Sequence, residues 1–123
     1  MGTLHRILVI DDDEDMRSLL TAILKGHTVL QAANGREGME IYRAQTPELV
    51  ITDLIMPEKE GIETIQDLRR EFPETKIIAM TGRESLTDYD VFQVAREVGA
   101  VKTLKKPFKL DDLVAVVKEL SPG

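Results

Sequence analysis

Ile7-Leu8-Val9-Ile10-Asp11-Asp12-Asp13-Glu14-Asp15 is the stretch on which the reading of this chain turns. Its apolar half has strand length and breaks off into an unbroken run of five acids. A continuous apolar run is what a parallel strand covered on both faces requires, whereas a half-exposed sheet alternates apolar and polar positions. Leu49 to Thr52 and Lys76 to Met80 have the same character, and Thr28 to Ala32 and Val101 to Leu104 are also of strand length.

Between these runs the apolar residues change to helical spacing: Met16, Leu19, Leu20, Ile23, Leu24; Met39, Tyr42; Ile62, Ile65, Leu68, Phe72; Val91, Val94, Ala95, Val98; and Leu110, Leu113, Val114, Val117, Leu120. The last helix is the clearest, with Asp111 and Asp112 in its first turn where the macrodipole favours acids. Five strands alternating with five helices predict an α/β fold, a (βα)5 doubly wound parallel sheet of flavodoxin-like topology. Parallel strands need crossovers, and right-handed crossovers put helices on both faces. The expected strand order is 2-1-3-4-5, and ligands in such sheets bind beyond the carboxyl ends of the strands at the switch point, here between the first and third.

Composition bounds the function. A chain of 123 residues, 42% hydrophobic and 31% charged, fits one ordinary soluble domain spanning residues 1–123. It has no Cys, so disulfides and thiolate metal sites are excluded. No apolar run approaches the roughly 20 residues of a membrane span, and Met1 to Ile10 is too short and mixed for a signal peptide, so a soluble cytoplasmic protein is expected. Sixteen basic against 22 acidic residues give a formal charge of -6, which argues against direct nucleic-acid binding.

The acidic run has a plain structural reading, because acids after a strand cap the next helix, and this suits Asp13 best. Asp11 and Asp12 come earlier, at the edge where the fold places its ligand. Asp53 follows the third strand, next to the first across the switch point, so three carboxylates share one crevice. Two like charges about 5 Å apart repel by roughly 3 kcal/mol at an effective dielectric of 20. A hard divalent cation relieves that cost, and carboxylates with a carbonyl and waters suit Mg²⁺, the Ile55 carbonyl being placed to join them by a turn at Pro57. Thr81 closes the fourth strand and Lys106 the fifth. Alone, each would be a structural threonine or a solvated lysine; with Mg²⁺ they supply donors and charge for phosphoryl transfer to a carboxylate.

These residues make the chain resemble the receiver domains of two-component response regulators over essentially its whole length. The matching pieces are Ile7 to Asp12, Asp53-Leu54-Ile55-Met56-Pro57 with Gly61 beyond, Met80-Thr81-Gly82, Gly99-Ala100 and Lys106-Pro107-Phe108. The resemblance implies that Asp53 is the phosphoacceptor, Asp12 a direct Mg²⁺ ligand, and Asp11 a ligand acting mainly through water. It implies further that the Ile55 carbonyl completes the metal site, that Thr81 and Lys106 hold the phosphoryl group, and that Pro107 is cis. The implied donor is a sensor histidine kinase or phosphotransfer protein, and the implied output is a protein-interaction surface acting on a downstream protein or domain. Such a domain catalyses its own phosphorylation and dephosphorylation and is not a turnover enzyme.

Four features depart from the family's common pattern. Thr103 stands where an aromatic residue is frequent, the stretch from Thr81 to Gly99 is longer by roughly three residues, and the first helix is clipped at Leu24-Lys25-Gly26-His27. Ile55 and Arg83 occupy positions that tune phosphoryl lifetime, and bulk at Ile55 with a cation at Arg83 predicts slow hydrolysis. Three rival readings fit less well. A haloacid-dehalogenase-type phosphatase leaves Asp53 to Pro57 unexplained and has Asp15 where its motif carries Thr or Val. A flavodoxin-like cofactor binder would set five acids against a phosphate. A receiver fold signalling without phosphate leaves Asp11, Asp12, Asp53, Thr81 and Lys106 without a purpose. A stand-alone receiver, a phosphoryl shuttle and a receiver cut from a longer protein all fit the sequence.

Overall fold

A computed structural model describes residues 5–54, 61–81, 91–106 and 108–120, with only the backbone at 91 and 92. The strands are β1 (Arg6–Ile10), β2 (Thr28–Ala32), β3 (Leu49–Asp53), β4 (Lys76–Thr81) and β5 (Lys102–Lys105). They alternate with α1 (Glu14–Ile23), α2 (Gly35–Gln45), α3 (Gly61–Glu71), α4 (Val91–Val98) and α5 (Leu110–Leu120). All pairings are parallel and the order is β2-β1-β3-β4-β5, as the strand pattern predicts.

The continuous apolar runs divide by parity, because successive side chains of a strand face opposite ways. Leu8, Ile10, Val50, Ile77 and Ala79 pack with Met39 and Tyr42 of α2, Ile65 and Leu68 of α3, and Ala95 of α4. Ile7, Val9, Leu49, Ile51, Ile78, Met80 and Leu104 pack with Leu20 and Leu24 on the α1 side and Leu113 and Val117 of α5. Both strand faces are thus buried in separate cores, which is why the middles of β1, β3 and β4 are apolar and their polar residues, Arg6, Thr52, Asp53, Lys76 and Thr81, gather at the strand ends. The edge strands β2 and β5 admit Thr28, Gln31 and Lys105 at exposed positions.

Among the described residues, three apolar positions with helical spacing are exposed. Leu19 is 49% exposed, Leu110 55% and Val114 44%. Each flanks a stripe centred on an i, i+4 pair, Leu20 with Leu24 and Leu113 with Val117, and a helix buries only the middle of such a stripe deeply. β5 begins one residue later than its apolar run suggests, since Lys102 is the first residue paired, opposite Ile78, and Val101 is 46% exposed.

At the opposite end of the sheet from the acidic run, His5 and His27 stack with ring centroids 5.4 Å apart. The His5 backbone N–H donates to His27 Nδ1 at 3.2 Å. Burial first, and then the neighbouring His5, lower the His27 pKa below the usual 6.5. The unfolded chain therefore takes up that proton more readily, so this contribution to stability is complete above pH 6.5 and is lost as pH falls through the lowered value. Urea midpoints are expected to fall more between about pH 7 and about pH 5.5 in the protein than in a His27→Gln variant. Equal falls in both would remove His27 as the cause.

Candidate functional site

The parallel hydrogen-bond ladder runs one residue past several strand ends, and this sets the height of each site residue. The Asp11 N–H donates to the Ala32 carbonyl at 3.0 Å, continuing β1 against β2. Asp53 is the last residue of β3 and pairs with Met80, and the Leu54 N–H then donates to the Met80 carbonyl at 2.9 Å. Thr81 ends β4, and the Lys106 N–H donates to the Thr81 carbonyl at 2.9 Å, so Lys106 stands one residue beyond β5 rather than within it. Asp11, Asp53, Thr81 and Lys106 are brought together at one edge.

The acids differ sharply in setting. Asp11 is fully buried and Asp53 nearly so, whereas Asp12 is exposed. Asp13 is the N-cap of α1, its carboxylate accepting from the Asp15 and Met16 N–H groups, as its position predicts. Asp13 also donates its own N–H to Asp11 Oδ1 at 2.9 Å. Carboxylate oxygens of Asp11, Asp12 and Asp53 all lie within 4.8 Å of one another, a group able to hold a metal ion.

One ammonium joins this cluster. Lys106 Nζ donates to Asp11 Oδ2 at 2.8 Å and to Asp53 Oδ2 at 3.4 Å. Burial works to lower the Lys106 pKa, but the hydrogen bond to Asp11 and the charges of Asp53 and Asp11 outweigh it and leave the pKa raised. Lys106 is therefore a fixed cation at neutral pH. Among the described residues, three carboxylates against one ammonium leave the crevice negative, which favours a second cation.

The sequence reading assigns Lys106 to the phosphoryl group and names no carboxylate partner for it; its shorter bond is to Asp11 rather than to Asp53. That reading also passes over Arg17, whose Nη1 donates to the Asp11 carbonyl at 2.7 Å. The available signal is the placement of an arginine four residues after the α1 cap, directly behind the acids. Thr103 lies in β5 opposite Ala79. Ile55 and Pro57, Gly82 and Arg83, Pro107, and most of the lengthened stretch before α4 lie outside the described residues.

Comparison with known proteins decides what carries this arrangement. The family model for the response regulator receiver domain matches residues 7–118. The chain belongs to the response regulator receiver family. Receivers of this family act in two-component signalling, take phosphoryl groups from histidine kinases onto an aspartate, and normally use Mg²⁺. This receiver is 32% identical over 120 residues to sporulation initiation phosphotransferase F of Bacillus subtilis, covering 96% of this chain and 94% of that protein. It is 35% identical over 118 residues to response regulator MprA of Mycolicibacterium vanbaalenii, covering 94% of this chain but 49% of that one, about half of the longer regulator. Among solved structures it resembles a CheY-like receiver domain protein of Methanospirillum hungatei, with a TM-score of 0.87, 30% identity, and coverage of 95% of this chain and 93% of that one. Among the described residues of this receiver no helix is long and apolar enough to cross a membrane.

Proposed function

We propose that the chain works in the cytoplasm as one receiver domain whose Asp53 accepts a phosphoryl group from a histidine kinase or phosphotransfer protein. The observation that carries this reading is the Lys106 ammonium shared between Asp11 and Asp53 at the edge where three carboxylates meet. Asp53 is the acid at the end of a central strand, nearly buried, with Lys106 and the Thr81 strand end beside it.

The donor set fits Mg²⁺: Asp11, Asp12 and Asp53 offer hard carboxylate oxygens with no sulfur or imidazole among them. The Ile55 carbonyl is proposed as a further oxygen. When bound, the ion neutralises oxygens of the transferred group. An Asp53 oxygen forms the new bond to phosphorus as the bond from phosphorus to the donor's imidazole nitrogen breaks, and the imidazole leaves with that electron pair. Lys106 turns from Asp53 to the phosphoryl oxygens, and the Thr81 hydroxyl donates to another. Hydrolysis later returns Asp53 to a free carboxylate, so the domain catalyses its own loading and clearing without being a turnover enzyme. The added charge and acceptor oxygens shift the population toward a surface that binds a downstream protein or domain.

Treating the protein with acetyl phosphate and Mg²⁺ is expected to add the mass of one phosphoryl group, and to add none when EDTA replaces the metal. A protein that gains no Mg²⁺-dependent adduct, from acetyl phosphate or from a phosphorylated kinase, overturns the reading.

A further inference from the structure

We infer that Arg17 is a positioning residue for the acidic crevice, holding the Asp11–Asp12 peptide so that the two carboxylates meet a divalent cation correctly; this rests on the metal site proposed above. Each polar atom of Asp11 has its own partner, drawn from β2, from α1 with its cap, and from the residue after β5. Its N–H donates to the Ala32 carbonyl of β2 at 3.0 Å. Its Oδ1 accepts from the Asp13 N–H at 2.9 Å, and its Oδ2 from Lys106 at 2.8 Å. The carbonyl accepts from Arg17 Nη1 at 2.7 Å.

That last bond reaches further than Asp11. The Asp11 carbonyl and the Asp12 nitrogen lie in one peptide plane, so fixing the carbonyl fixes the plane from which Asp12 departs. Asp12 is exposed, and its carboxylate is aimed by its backbone rather than by a packed pocket. Arg17 is itself anchored. Its Nε donates to Gln31 Oε1 at 3.2 Å, Gln31 Nε2 donates to Thr21 Oγ1 at 3.1 Å, and Thr21 Oγ1 donates to the Arg17 carbonyl at 2.7 Å. The ring of contacts spans α1 and β2, and Gln31 directly precedes the Ala32 that receives the Asp11 N–H. Asp11 is thus held from β2 on both sides, the peptide before it through the ladder to Ala32 and the peptide after it through Arg17 and Gln31.

Charge and position predict opposite signs. A guanidinium near a cation site opposes the cation by simple repulsion, so deleting its charge should tighten Mg²⁺ binding. If Arg17 acts by holding the peptide, deleting it should weaken binding. Isothermal titration of the metal-free protein with Mg²⁺ separates the two. Arg17→Gln is expected to bind about tenfold more weakly at unchanged stoichiometry, in the range seen when groups behind a metal ligand are removed. Arg17→Lys, which keeps the charge but not the forked donor, is expected to recover only part of the loss. Gln31→Ala changes no charge and is expected to weaken binding by a smaller factor. Equal or tighter binding in Arg17→Gln overturns the inference; if that variant fails to fold, unchanged affinity in Gln31→Ala does so. A wild-type protein that shows no saturable Mg²⁺ binding instead overturns the metal site, and this inference with it.

Discussion

Asp53→Asn is expected to abolish uptake of a phosphoryl group from acetyl phosphate while leaving the metal-free protein at least as stable as before. Asparagine keeps the shape of aspartate but its amide is no nucleophile toward phosphorus, so the loss should be complete within detection. The stability half follows from the crevice. Asp53 lies within 4.8 Å of oxygens of both Asp11 and Asp12 and 3.4 Å from Lys106. Its removal relieves two repulsions, each of about 3 kcal/mol before solvent screening, against one lost attraction of similar size. The Lys106 to Asp11 bond at 2.8 Å survives the change. Urea unfolding in EDTA should therefore show a rise of 0 to about 1 kcal/mol once screening is allowed for. Adding Mg²⁺ should stabilise the original protein by linkage and the variant much less. A variant that still gains the phosphoryl mass would transfer the acceptor role to another acid.

Gly61→Ala is expected to cost about 3 kcal/mol or more and to depress phosphorylation in the fraction that remains folded. A Cβ at Gly61 would stand 2.0 Å from the Asp53 carbonyl oxygen and 2.6 Å from the Leu54 Cα. Both are backbone atoms, and the Gly61 N–H also donates to the Leu54 carbonyl at 3.0 Å, so α3 begins pressed against the exit of β3. No flexible side chain can yield there. Relief must come from moving α3 or the end of β3, and the latter carries the carboxylate that would react. Chemical denaturation measures the first effect and the rate of adduct formation the second. A variant of unchanged stability and rate would show that the approach of α3 to β3 relaxes freely.

The fold was legible because both faces of β1, β3 and β4 are buried, and full burial writes itself as uninterrupted Ile, Val and Leu. Asp11, Asp53, Thr81 and Lys106 were legible because strand ends in this topology converge, so position along the chain predicts proximity. Which partner Lys106 prefers was not. It depends on heights set by bonds such as Lys106 to Thr81 and Asp11 to Ala32, and those appear only when strands are in register. Arg17 escaped for a related reason: its partner in the crevice is the Asp11 backbone carbonyl, which any residue would supply, and its side-chain partner Gln31 lies across the β1 to β2 register. The His5 and His27 stack joins residues 22 apart through a β1 to β2 register that the sequence does not state. Gly61 was visible as a piece of a motif, but its necessity lies in a backbone contact that only packing reveals.

The division of strand side chains by parity carries a further consequence. Asp53 shares the parity of Leu49 and Ile51, on the α1 and α5 side, while Thr81 shares that of Ile77 and Ala79, on the side of α2, α3 and α4. The sheet is a partition between two rooms, and these two residues stand at its rim on opposite sides. A group attached to Asp53 and grasped by Thr81 would reach over the rim, passing news from one room to the other through a single covalent addition.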